Sequence, residues 1–148
     1  MIYHIFIVAI SIYIVFMDIR YRRIPDAAVS ALVLVGFCYM LNYQSYSHHI
    51  TGGVIIPLVV FGVGFMLAVH NIIGMGDIKL LSVTLLLCPA PWQPDIIYFV
   101  IFSGGVWALM WHFLLTRISM VFRIDTVKEG IPYGIPIAAA LCLFTFIR

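Results

Sequence analysis

Two aspartates stand at the polar margins of otherwise apolar stretches: Asp18 in MDIRYRRIPDA and Asp77 in NIIGMGDIKLL. A single carboxylate in such a place has ordinary explanations. Asp18 can pair with Arg22 one helical turn on, and Asp77 can cap a helix or pair with Lys79. Asp26 directly precedes AAVSALVLVG and reads as a helix N-cap. Two carboxylates on one side of a membrane offer more. One, ionised, can take a proton from water while the other, protonated, donates to a carbonyl oxygen. Like charges in close contact push the two titrations apart so that the pair shares one proton. Gly74 and Gly76, either side of Met75, permit a positive φ or a close backbone approach just before Asp77.

Other hydrolytic chemistries lack their residues. There is no H-E-x-x-H for a metalloprotease. Ser103 in IFSGG has Ile101 where a membrane serine protease would carry glycine, so Ser103 with His112 is a poor pair. Cys38, Cys88 and Cys142 are scattered and form no C-x-x-C, which speaks against a zinc site or a disulfide framework and for small packing residues. His48 and His49 read as exposed polar residues of a loop. No metal, cofactor or nucleic-acid partner is implied.

The elements that must position the aspartates are hydrophobic ones. Of 148 residues, 64% are hydrophobic and 9% charged, against about 25% charged in a soluble domain. Such a chain cannot cover itself with polar surface and is expected to be an all-α, polytopic membrane protein of one domain, 1–148. Six apolar segments emerge, near 1–17, 27–43, 52–70, 78–90, 95–116 and 131–147. The fourth is short for a span of about 20 residues and ends at CPAPWQPD, where three prolines break it. The first lacks a basic leading region and a small-residue cleavage site, and is read as a retained helix.

Seven of the eight Lys and Arg fall in alternate loops, and only Arg148 lies on the other side. The positive-inside rule then predicts six transmembrane helices, both termini outside, and both aspartates near the cytoplasmic face. Tyr39, Tyr43, Tyr46, Trp92 and Tyr98 would form an outer aromatic belt. The stretch TRISMVFRIDTVKEG is either a plain connector or a segment lying on anionic lipid.

Three stretches carry a resemblance. DIRYRRIPD is similar to the first motif of the type IV prepilin peptidase family: an aspartate, five residues, then Ile-Pro-Asp. GMGD matches the G-x-G-D motif of the wider class of membrane aspartic proteases, and IPYGIPIAAA resembles the family's P-Y-G stretch in its final helix. The resemblance spans almost the whole chain. It implies an aspartic endopeptidase of the inner (cytoplasmic) membrane that removes the basic leader from type IV prepilin or pseudopilin precursors, with Asp18 and Asp77 as the catalytic pair. Gly74, Gly76, Tyr133 and Gly134 would bind substrate or shape loops. Longer relatives carry paired C-x-x-C motifs and also N-methylate the product. This chain resembles the short, peptidase-only form.

Helix ends suggest roles within the pair. Asp77 near a helix N-terminus is favoured as the ionised base, and Asp18 at a C-terminus as the protonated donor, with Arg22 acting against this. Lys79, two residues past Asp77, is expected to face headgroups. Pro132 and Pro136 interrupt the last helix, and Gly104 with Ala108 suit close helix packing. Outside enzymes, the alternatives are a small proton or ion transporter with Asp18 and Asp77 as a relay, and an assembly factor without chemistry. Transporter relays usually sit near the midplane of the bilayer.

Overall fold

A computed structural model describes residues 2–42, 53–122 and 133–146. Among these residues there are six α-helices, one short 3-10 turn and no strand. We number the helices α1 (Ile2–Tyr21), α2 (Asp26–Asn42), α3 (Ile55–Val69), α4 (Met75–Leu87), α5 (Gln93–Phe122) and α6 (Gly134–Phe146). Each matches one apolar segment of the sequence. Two helical stretches, Tyr3–Tyr21 and Ala90–Phe113, are long and apolar enough to cross a membrane. Asp26–Cys38, Ile55–Val69 and Gly134–Thr145 are shorter apolar helices. His48, His49, Tyr43, Tyr46, Pro132, Arg123, Lys128 and Arg148 lie outside the described residues, and 116–122 of the stretch TRISMVFRIDTVKEG continue α5.

Helices α4 and α6 run through the middle. Ile7 and Ile14 of α1, Ala28 and Leu32 of α2, Leu80 of α4, and Ile137 and Leu141 of α6 form one buried cluster. Leu85, Cys88, Ile96 and Ala140 form a second. Outward faces are the reverse of a soluble protein's: Phe6, Phe16, Leu58, Met66, Tyr98, Phe102 and Phe113 are all exposed. In lipid such faces need no cover, and helix association depends on close packing instead. Glycines supply it. A Cβ on Gly36 would fall on Leu87 Cδ2, joining α2 to α4. A Cβ on Gly64 would lie 2.6 Å from Ile78 Cγ2, joining α3 to α4. Gly104 receives the Tyr133 ring, so the small-residue site on α5 packs against the start of α6.

The ends of the helices follow local chemistry. Cys88, which precedes Pro89, is extended at φ −97° and ψ 149° and stops α4. At the end of α3, Asn71 has φ 56°, and the N–H groups of Asn71 and Ile72 donate to Ala68 and Leu67 carbonyls at 2.9 and 3.0 Å. This is a Schellman closure with asparagine in the left-handed position. We expect Asn71→Leu to cost about 1 kcal/mol and Asn71→Gly to cost nothing, read as melting in detergent. Between α3, α4 and α5, buried Gln93 donates from Nε2 to the carbonyls of Gly53 at 2.7 Å and Leu85 at 2.9 Å.

Candidate active site

Asp18 belongs to a stripe. Ile7, Ser11, Ile14 and Asp18 recur at spacings of four, three and four, which puts them on one face of α1, and all four are buried. Ser11 satisfies its hydroxyl on the Ile7 carbonyl at 2.8 Å. The stripe carries the Asp18 carboxylate inward, leaving it 5% exposed. There it meets the start of α6: the Gly134 N–H donates to Asp18 Oδ2 at 2.9 Å. A Cβ on Gly134 would stand 2.7 Å from that same oxygen, so only glycine fits without displacement.

Asp77 lies in the first turn of α4, just before the fourth apolar segment. Gly74 caps the helix in extended conformation, φ −66° and ψ 132°, and its carbonyl accepts from the Asp77 and Ile78 N–H groups. The Asp77 carboxylate folds back over it, with Oδ2 2.8 Å from where a Gly74 Cβ would be. Gly76 lets α4 approach the Ile-Pro-Asp turn, its Cβ position being 3.0 Å from Ile24 Cβ. None of the described glycines has a positive φ. Of the two reasons for glycine in G-x-G-D, close approach is therefore the one that operates.

Burial raises Asp77 to about 7, and the charge of Asp18 pushes it the same way. The dipole argument expected Asp77 to be the ionised member. Removal of water bears on both carboxyls, and at Asp77 the neighbouring carboxylate adds to it, beside a helix-end effect that is typically about 1 kcal/mol or less.

Lys79 does not pair with Asp77 and does not simply reach outward. Its Nζ lies 2.8 Å from Asp26 Oδ1. Asp26 is the first residue within α2, one place past the expected N-cap position, and its carboxylate is a partner for α4. The signal was available: Asp26 is the one other acidic residue of the two motif loops. The pair is exposed, and such pairs contribute about 1 kcal/mol or less. Asp26→Lys with Lys79→Asp should therefore retain most function, while Asp26→Lys alone sets two cations together and loses several-fold. Cleavage rates of the single and double variants check this.

Arg22 ends α1 in the left-handed region at φ 53° and turns its guanidinium to 5.5 Å from the centre of the Trp111 ring on α5. Tyr133 is 38% exposed, beside Gly104. Ser103 donates to the Phe99 carbonyl of its own helix at 2.6 Å. His112 is nine residues on along the same helix, roughly 13 Å away by helical rise, which leaves no serine–histidine pair.

Fold and site together define a helical, largely apolar chain in which Asp18 is buried against the start of α6 and Asp77 stands at the head of α4. The family model described as the type IV leader peptidase family matches residues 5–109, well over half of the chain. The chain belongs to that family, and so is a leader peptidase in general terms. The match includes both aspartate motifs and stops before Tyr133 and Gly134. No curated protein and no solved structure matches the chain.

Proposed function

We propose that this chain is an aspartic endopeptidase, with Asp18 and Asp77 as its catalytic pair, that removes the leader from type IV prepilin or pseudopilin precursors at the cytoplasmic face of the inner membrane. The observation that carries the reading is the family match over residues 5–109, which takes in both aspartate motifs, and the field of Asp18 that bears on Asp77 supports it. One shared proton then serves both halves of a hydrolysis. The topology that goes with it is six transmembrane helices, with basic loops inside and both termini outside. Gly76 brings the α4 start close to the α1–α2 turn, Gly74 leaves room for the Asp77 carboxylate, and Tyr133 and Gly134 complete the proposed site from α6. Family membership favours this over an ion relay through the same aspartates. Co-expression with a precursor from the same genome, followed by mass spectrometry of the pilin, tests it. A product shortened by the leader supports the reading, and an untouched precursor with every candidate tried sinks it.

A further inference from the structure

Tyr133 and Gly134, at the head of α6, have no part in the two-aspartate scheme as so far described. Yet, among the described residues, they supply a hydrogen bond to one of the two carboxylates: Gly134 N–H to Asp18 Oδ2, 2.9 Å, at a site 5% exposed. The bond comes from 116 residues away, from a position where a side chain has no room. A backbone N–H aimed at a carboxylate oxygen stabilises the ionised form over the protonated one.

We propose that Gly134 is a positioning residue whose N–H holds Asp18 as the proton acceptor, leaving Asp77 as the proton donor. This rests on the aspartic peptidase reading. It also reverses the roles that helix ends alone suggest. Burial disfavours charge on both carboxyls, and at Asp18 the Gly134 N–H works against it.

The steps balance. Asp18 takes a proton from water as the water oxygen bonds to the scissile carbonyl carbon, and Asp77 gives its proton to the carbonyl oxygen. A neutral diol results. As the C–N bond breaks, Asp18 passes its proton to the leaving nitrogen and Asp77 recovers one from a diol hydroxyl. One water is consumed and both groups return to their starting state. The other charges around Asp18 are few. Arg22 on α1 is the cation whose field reaches it, Asp77 is the acid on α4, Lys79 of α4 is tied to Asp26 of α2, and α6 carries no charged residue between Gly134 and Phe146.

Two substitutions separate the N–H from the space. Gly134→Ala adds a methyl group and keeps the donor. Gly134→Pro adds bulk and removes the donor, at a first helical position that proline favours. Cleavage of a synthetic precursor peptide by purified enzyme in detergent, followed against pH, gives the reading. Both variants should be slower, but only Gly134→Pro should move the acid limb upward, by about one pH unit. Coincident limbs in the two variants would overturn the proposal, since a packing role alone slows the rate at every pH.

A second measurement does not need either variant to fold. At about pH 6, the infrared band of the protonated carboxylic acid should vanish in Asp77→Asn and persist in Asp18→Asn, and the opposite pattern overturns the assignment. If cleavage survives in Asp18→Asn, the peptidase reading itself falls. If both Asp→Asn variants are dead while the limbs coincide, only the role of Gly134 is lost.

Discussion

Asp18→Asn and Asp77→Asn should each reduce leader cleavage by roughly 10³-fold or more, the loss expected when a proton-transferring group is removed, while the protein still inserts in the membrane. Asparagine matches aspartate in shape and is neutral, so packing around α1 and α4 is kept. The losses should not add, because either residue alone leaves the pair without a complete proton circuit. Rates of the single and double variants check this, and full activity in either single variant would end the aspartic mechanism. The pH dependence has a definite sign. If Asp77 is the donor, the competent form is the one with its proton on. That form declines as pH rises through about 7, so the rate should fall on the alkaline side. The Asp77→Asn variant has no such proton to lose, and its residual rate should lack that limb.

Gly64→Ala should cost on the order of 10²-fold in cleavage, the scale attached to misplacing a reacting group by about 1 Å. The added Cβ would sit 2.6 Å from Ile78 Cγ2 and 3.0 Å from Cγ1. Both atoms lie close to the backbone on a β-branched side chain, which swings aside poorly. Relief must then come from moving the first turn of α4, where Ile78 directly follows Asp77. Ile78→Ala removes the obstructing atoms but leaves a hole in a site 5% exposed, itself a loss of about 2–5 kcal/mol in stability. The double variant fills that hole with the new methyl. Its activity should exceed the value expected from adding the two single losses, giving a favourable interaction energy. Strict additivity would show that the contact does not govern the placement of Asp77.

Much of this was legible in the sequence, for reasons that can be named. Hydrophobicity and prolines delimit the helices, so the short fourth segment and its stop at Pro89 read correctly from composition. Asp18 could be picked out because it stands at the polar margin of the first apolar segment, in a stretch that ends in Ile-Pro-Asp. What escaped were relations between helices. Lys79 is nearest in sequence to Asp77, and sequence distance says nothing about the α2 carboxylate that it binds. A role assigned from helix ends rests on a local property, whereas burial and the second aspartate depend on how helices far apart in the chain pack. Gly134 reads in sequence as loop-shaping, but a backbone N–H has no signature in residue type. Only the lack of room for a Cβ reveals what the glycine is for.

The Gln93 amide fastens the leading end of α3 and the trailing end of α4 to the head of α5. Asp77 lies at the opposite end of α4, eight residues from the Leu85 carbonyl and about 12 Å along the axis. That end is held separately, by Gly64 against Ile78 and by Lys79 on Asp26. A rod pinned at both extremities does not pivot freely, so the station of Asp77 is set by three neighbouring helices at once.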